Sequence, residues 1–313
     1  MLSSGVEARV VRRIPKQLVR KGMYIETVEC PTAEFSGRRF LVQSDETVRA
    51  ILATSAAYAV VNVKKSTIDI DAVLGTVPAV RIASMAEERK RATETVARAA
   101  GELRESFGAV REGTLELERL GSVADDLSDR IDASPDVFLK VTRLKTKDEG
   151  TYVHSLAVSA LMMQLARTLD YDESAVHELG VAGLLHDVGK LGIPNAILNK
   201  AGALDPEEKR LIRSHPEVGY QQLKDLGNVS DLALDICLHH HEMLDGSGYP
   251  AGLKAAQIAP EIRLATVCDV FEALTSARAY KKAWKTRDAV TWMFDRGHLF
   301  DKKLVLRLGG IFA

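Results

Sequence analysis

The sequence predicts a mainly α protein, in which an all-helical domain over residues 131–313 follows a small β-containing module, residues 1–80, and a helical connector, residues 81–130. Three observations carry this expectation. Short apolar runs in the first 80 residues are punctuated by glycine and proline. A proline-free stretch rich in Ala, Glu and Arg comes next. After Asp132 the apolar positions fall at helical spacing, and seven of the eight histidines gather between His154 and His241. A length of 313 residues suits about two domains.

In the first region Met23-Tyr24-Ile25, Phe40-Leu41-Val42 and the run from Tyr58 to Val63 read as strands, bounded by Gly22, Pro31, Gly37, Gly75 and Pro78. From Ser84 to Arg130 Phe107 is the one aromatic residue, and the composition favours long exposed helix. Within it Val96, Ala100, Leu103, Phe107, Val110, Thr114, Leu117 and Gly121 alternate spacings of four and three. That seam suits a helical hairpin packed on its own chain or a coiled-coil homodimer.

Beyond Asp132, helices are expected over about Thr151–Leu169, Ser174–Val188, Val229–Met243 and Ile262–Ala279, with apolar residues on the inward faces. Another begins at Asp205-Pro206-Glu207-Glu208, where an aspartate cap, a proline in the first turn and an acid at the third position mark a helix start. Strand signals are nearly absent here, which gives an all-α domain.

Composition narrows function. Lys and Arg number 42 against 43 Asp and Glu, a net charge of −1, so a general positive field for nucleic-acid polymers or membrane surfaces is not expected. The uncharged stretch Ala50 to Val63 is too short to cross a bilayer, which takes about 20 residues. Neither a membrane span nor a secretory signal is expected. Three widely spaced cysteines, Cys30, Cys237 and Cys268, suit a reducing cytoplasm rather than a disulfide framework. Gly183 to Lys190 has the wrong glycine spacing for a phosphate loop, and Leu191 stands where a Ser or Thr is needed. After His241-Glu242 a second histidine is lacking, since Asp245 occupies its place.

What remains is a set of histidines and acids, each beside the apolar stripe of a different helix. His154 lies four residues before Val158, and His186 seven after Leu179, both facing inward. Asp187 follows His186, and Lys190, three residues on, is near enough to share its face of the helix. His215, read alone, is a surface or capping residue before Pro216. His239-His240-His241 closes a patterned helix and runs into the turn Asp245-Gly246-Ser247-Gly248-Tyr249-Pro250. Asp269 sits inside the apolar stretch Thr266–Leu274, where a carboxylate needs a cation or hydrogen-bond partners. Imidazoles with carboxylates and no thiolate suit a pair of divalent transition-metal ions: iron, manganese, nickel or zinc. Such a pair hydrolyses phosphate esters.

His186-Asp187 with Gly189-Lys190, then His240-His241-Glu242 and Asp245 to Pro250, resemble the HD-GYP phosphodiesterases of the HD superfamily. The resemblance runs from about Asp148 to Asp301 and takes in Leu191 to Leu198, His215 to Gly219 and Asp269 to Thr275. It implies an all-helical catalytic domain that hydrolyses cyclic di-GMP to pGpG or GMP through a metal-bound hydroxide. It also implies metal ligands at His154, His186, Asp187, His215, His240, His241 and Asp269, with Asp187 as the bridge. Asp187 and Lys190 would be catalytic, Lys190 stabilising developing negative charge. Lys190, Tyr249, Arg278 and Lys281 would hold the dinucleotide.

Gly150 stands where some relatives carry a third-metal glutamate, with Glu149 one place off, which predicts a two-metal site. Glu272 replaces a usual aspartate and offers a longer arm to a ligand. Ala279 replaces a usual proline, and the sequence ends at Ala313 where relatives usually continue. Arg13 to Ile25 resembles the DUF3391-like domain often found ahead of this catalytic domain, which implies contact with signalling-protein partners. A catalytically weak signalling module that binds cyclic dinucleotide and passes its signal to a protein partner is the alternative reading.

Overall fold

The computed structural model describes residues 11–30, 35, 37–56, 58–74, 85–143, 150–200, 202–277 and 283–312. The chain divides into two compact units between Glu87 and Glu88.

In the first unit β1 (Val11–Pro15), β2 (Tyr24–Val28), β3 (Phe40–Leu41) and β4 (Tyr58–Asn62) form an antiparallel sheet in the order β1-β4-β2-β3. Three of these strands were legible as apolar runs. β1 was not, because Val11-Arg12-Arg13-Ile14-Pro15 carries two charges and a proline, which suit an edge strand paired on one side. Helices α1 (Asp45–Ala53) and α2 (Ile70–Leu74) complete the unit. Its core is Ile14, Val19, Met23, Ile25, Ile51 and Val61 with their neighbours.

The second unit is helical: α3 (Met85–Arg111), α4 (Leu117–Ala133), α5 (Pro135–Thr142), α6 (Gly150–Arg167), α7 (Glu173–Leu185), α8 (Asn195–Leu198), α9 (Pro206–Arg213), α10 (His215–Leu226), α11 (Asp231–His239), α12 (Pro260–Thr275), α13 (Thr286–Phe294) and α14 (Lys302–Gly310). The expected long helix is broken at Glu112–Glu116, where Gly113 N–H donates to Val110 O and Thr114 N–H to Ala109 O. α3 and α4 thus form a hairpin. The seam from Val96 to Val110 is buried, and it joins one continuous core that runs through to Leu308. Thr114, a seam position by spacing, lies exposed in the turn.

α6 is the central helix: it is apolar all round, with residues from Val153 to Ala166 buried almost without interruption, and it packs on α4, α7 and α12. α9 begins with the expected reciprocal cap, the Asp205 side chain accepting from Glu208 N–H and Glu208 from Asp205 N–H, both at 2.9 Å. α7, α11 and α12 end earlier than apolar periodicity suggests, at Leu185, His239 and Thr275. Those early ends turn the polar residues that follow α7 and α11 inward.

Phe107 is fully buried and meets Tyr152 at the start of α6, ring centroids 5.6 Å apart. Phe107→Ala is expected to cost about 3–5 kcal/mol, and chemical denaturation should show the loss across the whole helical unit rather than in a separate transition of the hairpin.

Candidate metal centre

Six segments meet at one point. α6 supplies His154; the chain leaving α7 supplies His186 and Asp187; a short 3-10 turn over Val188–Gly192 carries Lys190. α10 begins on His215, α11 runs out into His240 and His241, and α12 brings Asp269 and Glu272. His186, Asp187, His215 and His240 are at most 1% exposed. The reading of His215 as a surface residue gives way to its tertiary setting. Ser214 and Pro216 start a new helix whose first turn faces the core, and no local pattern announces that.

Asp187 is at the centre. Its Oδ1 faces His215 Nε2 at 3.1 Å and His240 Nε2 at 3.6 Å. Its Oδ2 faces His154 Nε2 and His186 Nε2, each at 3.4 Å, and Lys190 Nζ at 2.5 Å. Asp269 Oδ1 lies 3.0 Å from His154 Nε2, and its Oδ2 lies 3.6 Å from His241 Nδ1. The donors fall into two groups, each with its ligand atoms within 4.8 Å of one another: Asp187, His215, His240 and His241 in one, His154, His186 and Asp269 in the other. The two oxygens of Asp187 face one group each.

The imidazoles are aimed from behind. Nδ1 of His186 bonds Gly183 O at 2.7 Å, that of His215 bonds Ile212 O at 2.7 Å, and that of His240 bonds Ile236 O and Cys237 O at 3.1 and 3.0 Å. A carbonyl only accepts, so each Nδ1 carries a proton and each Nε2 is the ring atom turned toward Asp187. His154 differs: its Nδ1 bonds the side chain of Glu272, which in turn accepts from Ser276 Oγ. The longer acid at 272 therefore orients the His154 ring. Ser276 in this chain of bonds was not foreseen.

Burial sets the electrostatics. It is the largest influence on His240, whose pKa falls to about 4, and on His241, which falls well below the usual value with His240 adding to the effect. Burial alone would raise Asp187, but Lys190 and His186 outweigh it and hold that carboxyl well below the usual range. Asp269 is held low against burial by the hydrogen bond and charge of His154. For His186 burial works downward, and the Asp187 carboxylate overcomes it to leave a raised value. Neutral imidazoles at His240 and His241 beside the ionised carboxylates of Asp187 and Asp269 are ligand-competent. Two buried polar atoms, His186 Nε2 and Asp187 Oδ1, make no hydrogen bond of good geometry, an expensive state that a cation between the groups would relieve. The donor set fits divalent first-row ions. Cys237 and Cys268 are free thiols whose pKa values burial raises, which keeps them out of that set.

Lys190 does not share a helix face with Asp187 as expected; the 3-10 turn brings it there instead, Lys190 N–H bonding Asp187 O at 3.0 Å. Gly189 makes this turn fit, because a Cβ there would lie 2.0 Å from His215 O and 2.6 Å from Gly219 N. Tyr249 stacks on His241 with centroids 4.7 Å apart and planes at 28°, and the Arg213 guanidinium lies 4.4 Å from the Tyr249 ring centroid. Sequence reasoning passed over Arg213, which has no signal beyond standing two residues before His215. Arg278 and Lys281, expected to hold the dinucleotide, lie outside the described residues, as do Glu149 and Ala279. Gly150 is described, as the first residue of α6.

A helical core organised around consecutive His and Asp is what the HD domain family defines, and the profile described as "HD domain" matches residues 127–304. The chain belongs to that family. It is similar to "Cyclic di-GMP phosphodiesterase PA4108" of Pseudomonas aeruginosa, at 36% identity over 94% of this chain and 75% of that protein. It is also similar to "Cyclic di-GMP phosphodiesterase response regulator RpfG" of Xanthomonas campestris, at 35% identity over 65% of this chain but only 54% of the relative. Bd1817, a HDG"Y"P protein from Bdellovibrio bacteriovorus, shares the fold: TM-score 0.60 and 17% identity, covering 96% of this chain and 99% of that one.

Two outcomes are expected here. Glu272→Ala should lower metal affinity by about 10–100-fold by freeing the His154 ring, read by metal titration against a competing chelator. Gly189→Ala should lose metal and folding stability together, by about 1–3 kcal/mol from overpacking, seen as a lower unfolding midpoint that added metal no longer raises.

Proposed function

We propose that this chain is a metal-dependent cyclic-dinucleotide phosphodiesterase that hydrolyses cyclic di-GMP to pGpG, GMP or both. The observation that carries the reading is Asp187 placed between two ligand groups, with one oxygen toward each and Lys190 against it. The names of the relatives support the substrate class.

His215, His240 and His241 would hold one divalent ion, His154, His186 and Asp269 the other, and Asp187 would bridge them. Iron or manganese suits this mixed set best, nickel and zinc less so. Two such ions would supply Lewis acidity and an acidified water. The chain's own residues do the rest. Lys190, part-exposed beside Asp187, offers a cation to the phosphate on which negative charge develops. Tyr249, whose hydroxyl burial keeps protonated, offers an aromatic face and a donor to the dinucleotide. Arg278 and Lys281 would grip phosphate oxygens.

Among the described residues no helix is long and apolar enough to cross a membrane. We place the activity in the cytoplasm, with residues 1–80 as a DUF3391-like module that contacts signalling partners, 81–130 as the connector and 131–313 as the catalytic domain.

The purified chain, loaded with manganese or with ferrous iron under anaerobic conditions, should carry two metal equivalents and convert cyclic di-GMP to a linear product. Asp187→Asn should abolish turnover and leave the far-ultraviolet circular dichroism unchanged. Lys190→Ala should lower kcat by about 10²–10³-fold while metal content stays the same. Binding of cyclic di-GMP without any product would point instead to a signal-receiving module.

A further inference from the structure

Glu242 follows two metal-ligand candidates directly, where an acid invites reading as a proton carrier. Its surroundings exclude that. Glu242 is 1% exposed, and both of its oxygens are taken: Oε1 accepts from the N–H groups of Ala251 and Gly252 at 2.7 and 3.0 Å, and Oε2 from Leu253 N–H at 2.9 Å. Among the described residues no lysine or arginine pairs with it, and the basic group that comes within 4.0 Å is His239 Nδ1. Three successive main-chain amides thus stabilise a buried charge, as in an anion nest.

The loop so held carries Tyr249. The ends of the loop are tied by main-chain bonds, Gly246 N–H to Met243 O and Ala255 N–H to Leu244 O, both at 2.9 Å. Nearer the ring the attachment is looser, Tyr249 N–H reaching His241 O at 3.3 Å, and Gly248 sits against the preceding chain so closely that a Cβ would meet Met243 N at 2.4 Å and Glu242 Cα at 2.5 Å. Close approach of this kind permits the fold-back, while the carboxylate supplies the attraction. We propose that Glu242 is the positioning residue for Tyr249: it anchors residues 251–253 so that the tyrosine ring is held over His241, ready for the dinucleotide. The substrate role of Tyr249 rests on the function proposed above. A neutral amide could not do the same, because a glutamine would turn its NH2 toward at least one of the three donors.

The test uses the full metal-loaded chain, Glu242→Gln, Tyr249→Ala and the double variant, with cyclic di-GMP as substrate. Glu242→Gln is expected to raise KM about tenfold, with kcat and metal content within about twofold of the parent. In the Tyr249→Ala background the same change should add almost nothing to KM. A fall in kcat and metal content at constant KM, or fully additive KM effects, would overturn the proposal. Amide hydrogen exchange at Ala251, Gly252 and Leu253 supplies a reading independent of turnover. It should accelerate about tenfold or more in Glu242→Gln while exchange over residues 183–190 is unchanged. If the parent turns over no cyclic dinucleotide, the functional reading fails, and retained protection at 251–253 would overturn the anchor itself.

Discussion

A carboxylate buried among four imidazoles is the constraint that organises the helical unit. Asp187 is fully inaccessible, and withdrawal of its charge from water is tolerated only because Lys190 and the surrounding donors compensate it. Each of those groups arrives on a separate segment, so compensation requires that the end of α7, the start of α10, the end of α11, the second turn of α6 and the interior of α12 converge. The apolar all-round character of α6 follows: a helix that carries His154 into the core of the helical unit has no solvent face to spare.

Close main-chain packing then fixes the scale of the site. The turn bearing Lys190 lies directly on the first residues of α10, with room for nothing larger than hydrogen at Gly189. Side chains three residues apart on that turn can therefore reach the same oxygen-rich centre from different directions. The loop after α11 repeats the device, folding back on residues 241–243 with a carboxylate as its tether. Short turns at helix ends, rather than helix faces, present most of the chemistry.

That distinction explains what was legible in the sequence. The resemblance carried by the His-Asp, Gly-Lys and Gly-Tyr-Pro motifs named His154, His186, Asp187, His215, His240, His241 and Asp269 together, and the structure brings these side chains to one place. The cap at Asp205 was readable from four residues, since its physics is local. His215 read alone looked peripheral, Lys190 was assigned to a helix face, and Arg213 and Ser276 were not seen at all. His215 and Arg213 are decided by contacts between segments, Lys190 by a 3-10 turn in place of a helix face, and Ser276 by a bond to Glu272 just past the end of α12. In the first unit β1 escaped notice for a related reason: an edge strand tolerates charge and proline that an interior one would not.

The orientation of the rings has one asymmetry. Three imidazoles rest on main-chain carbonyls within their own turn, an arrangement that any sequence keeping the helix termini will reproduce. Of the four rings that face Asp187, His154 alone leans on another side chain, the acid at position 272. Divergence among related chains can therefore retune one corner of the cage by exchanging a single carboxylate arm for a longer or shorter one. The other three corners change direction only if the backbone itself is rebuilt.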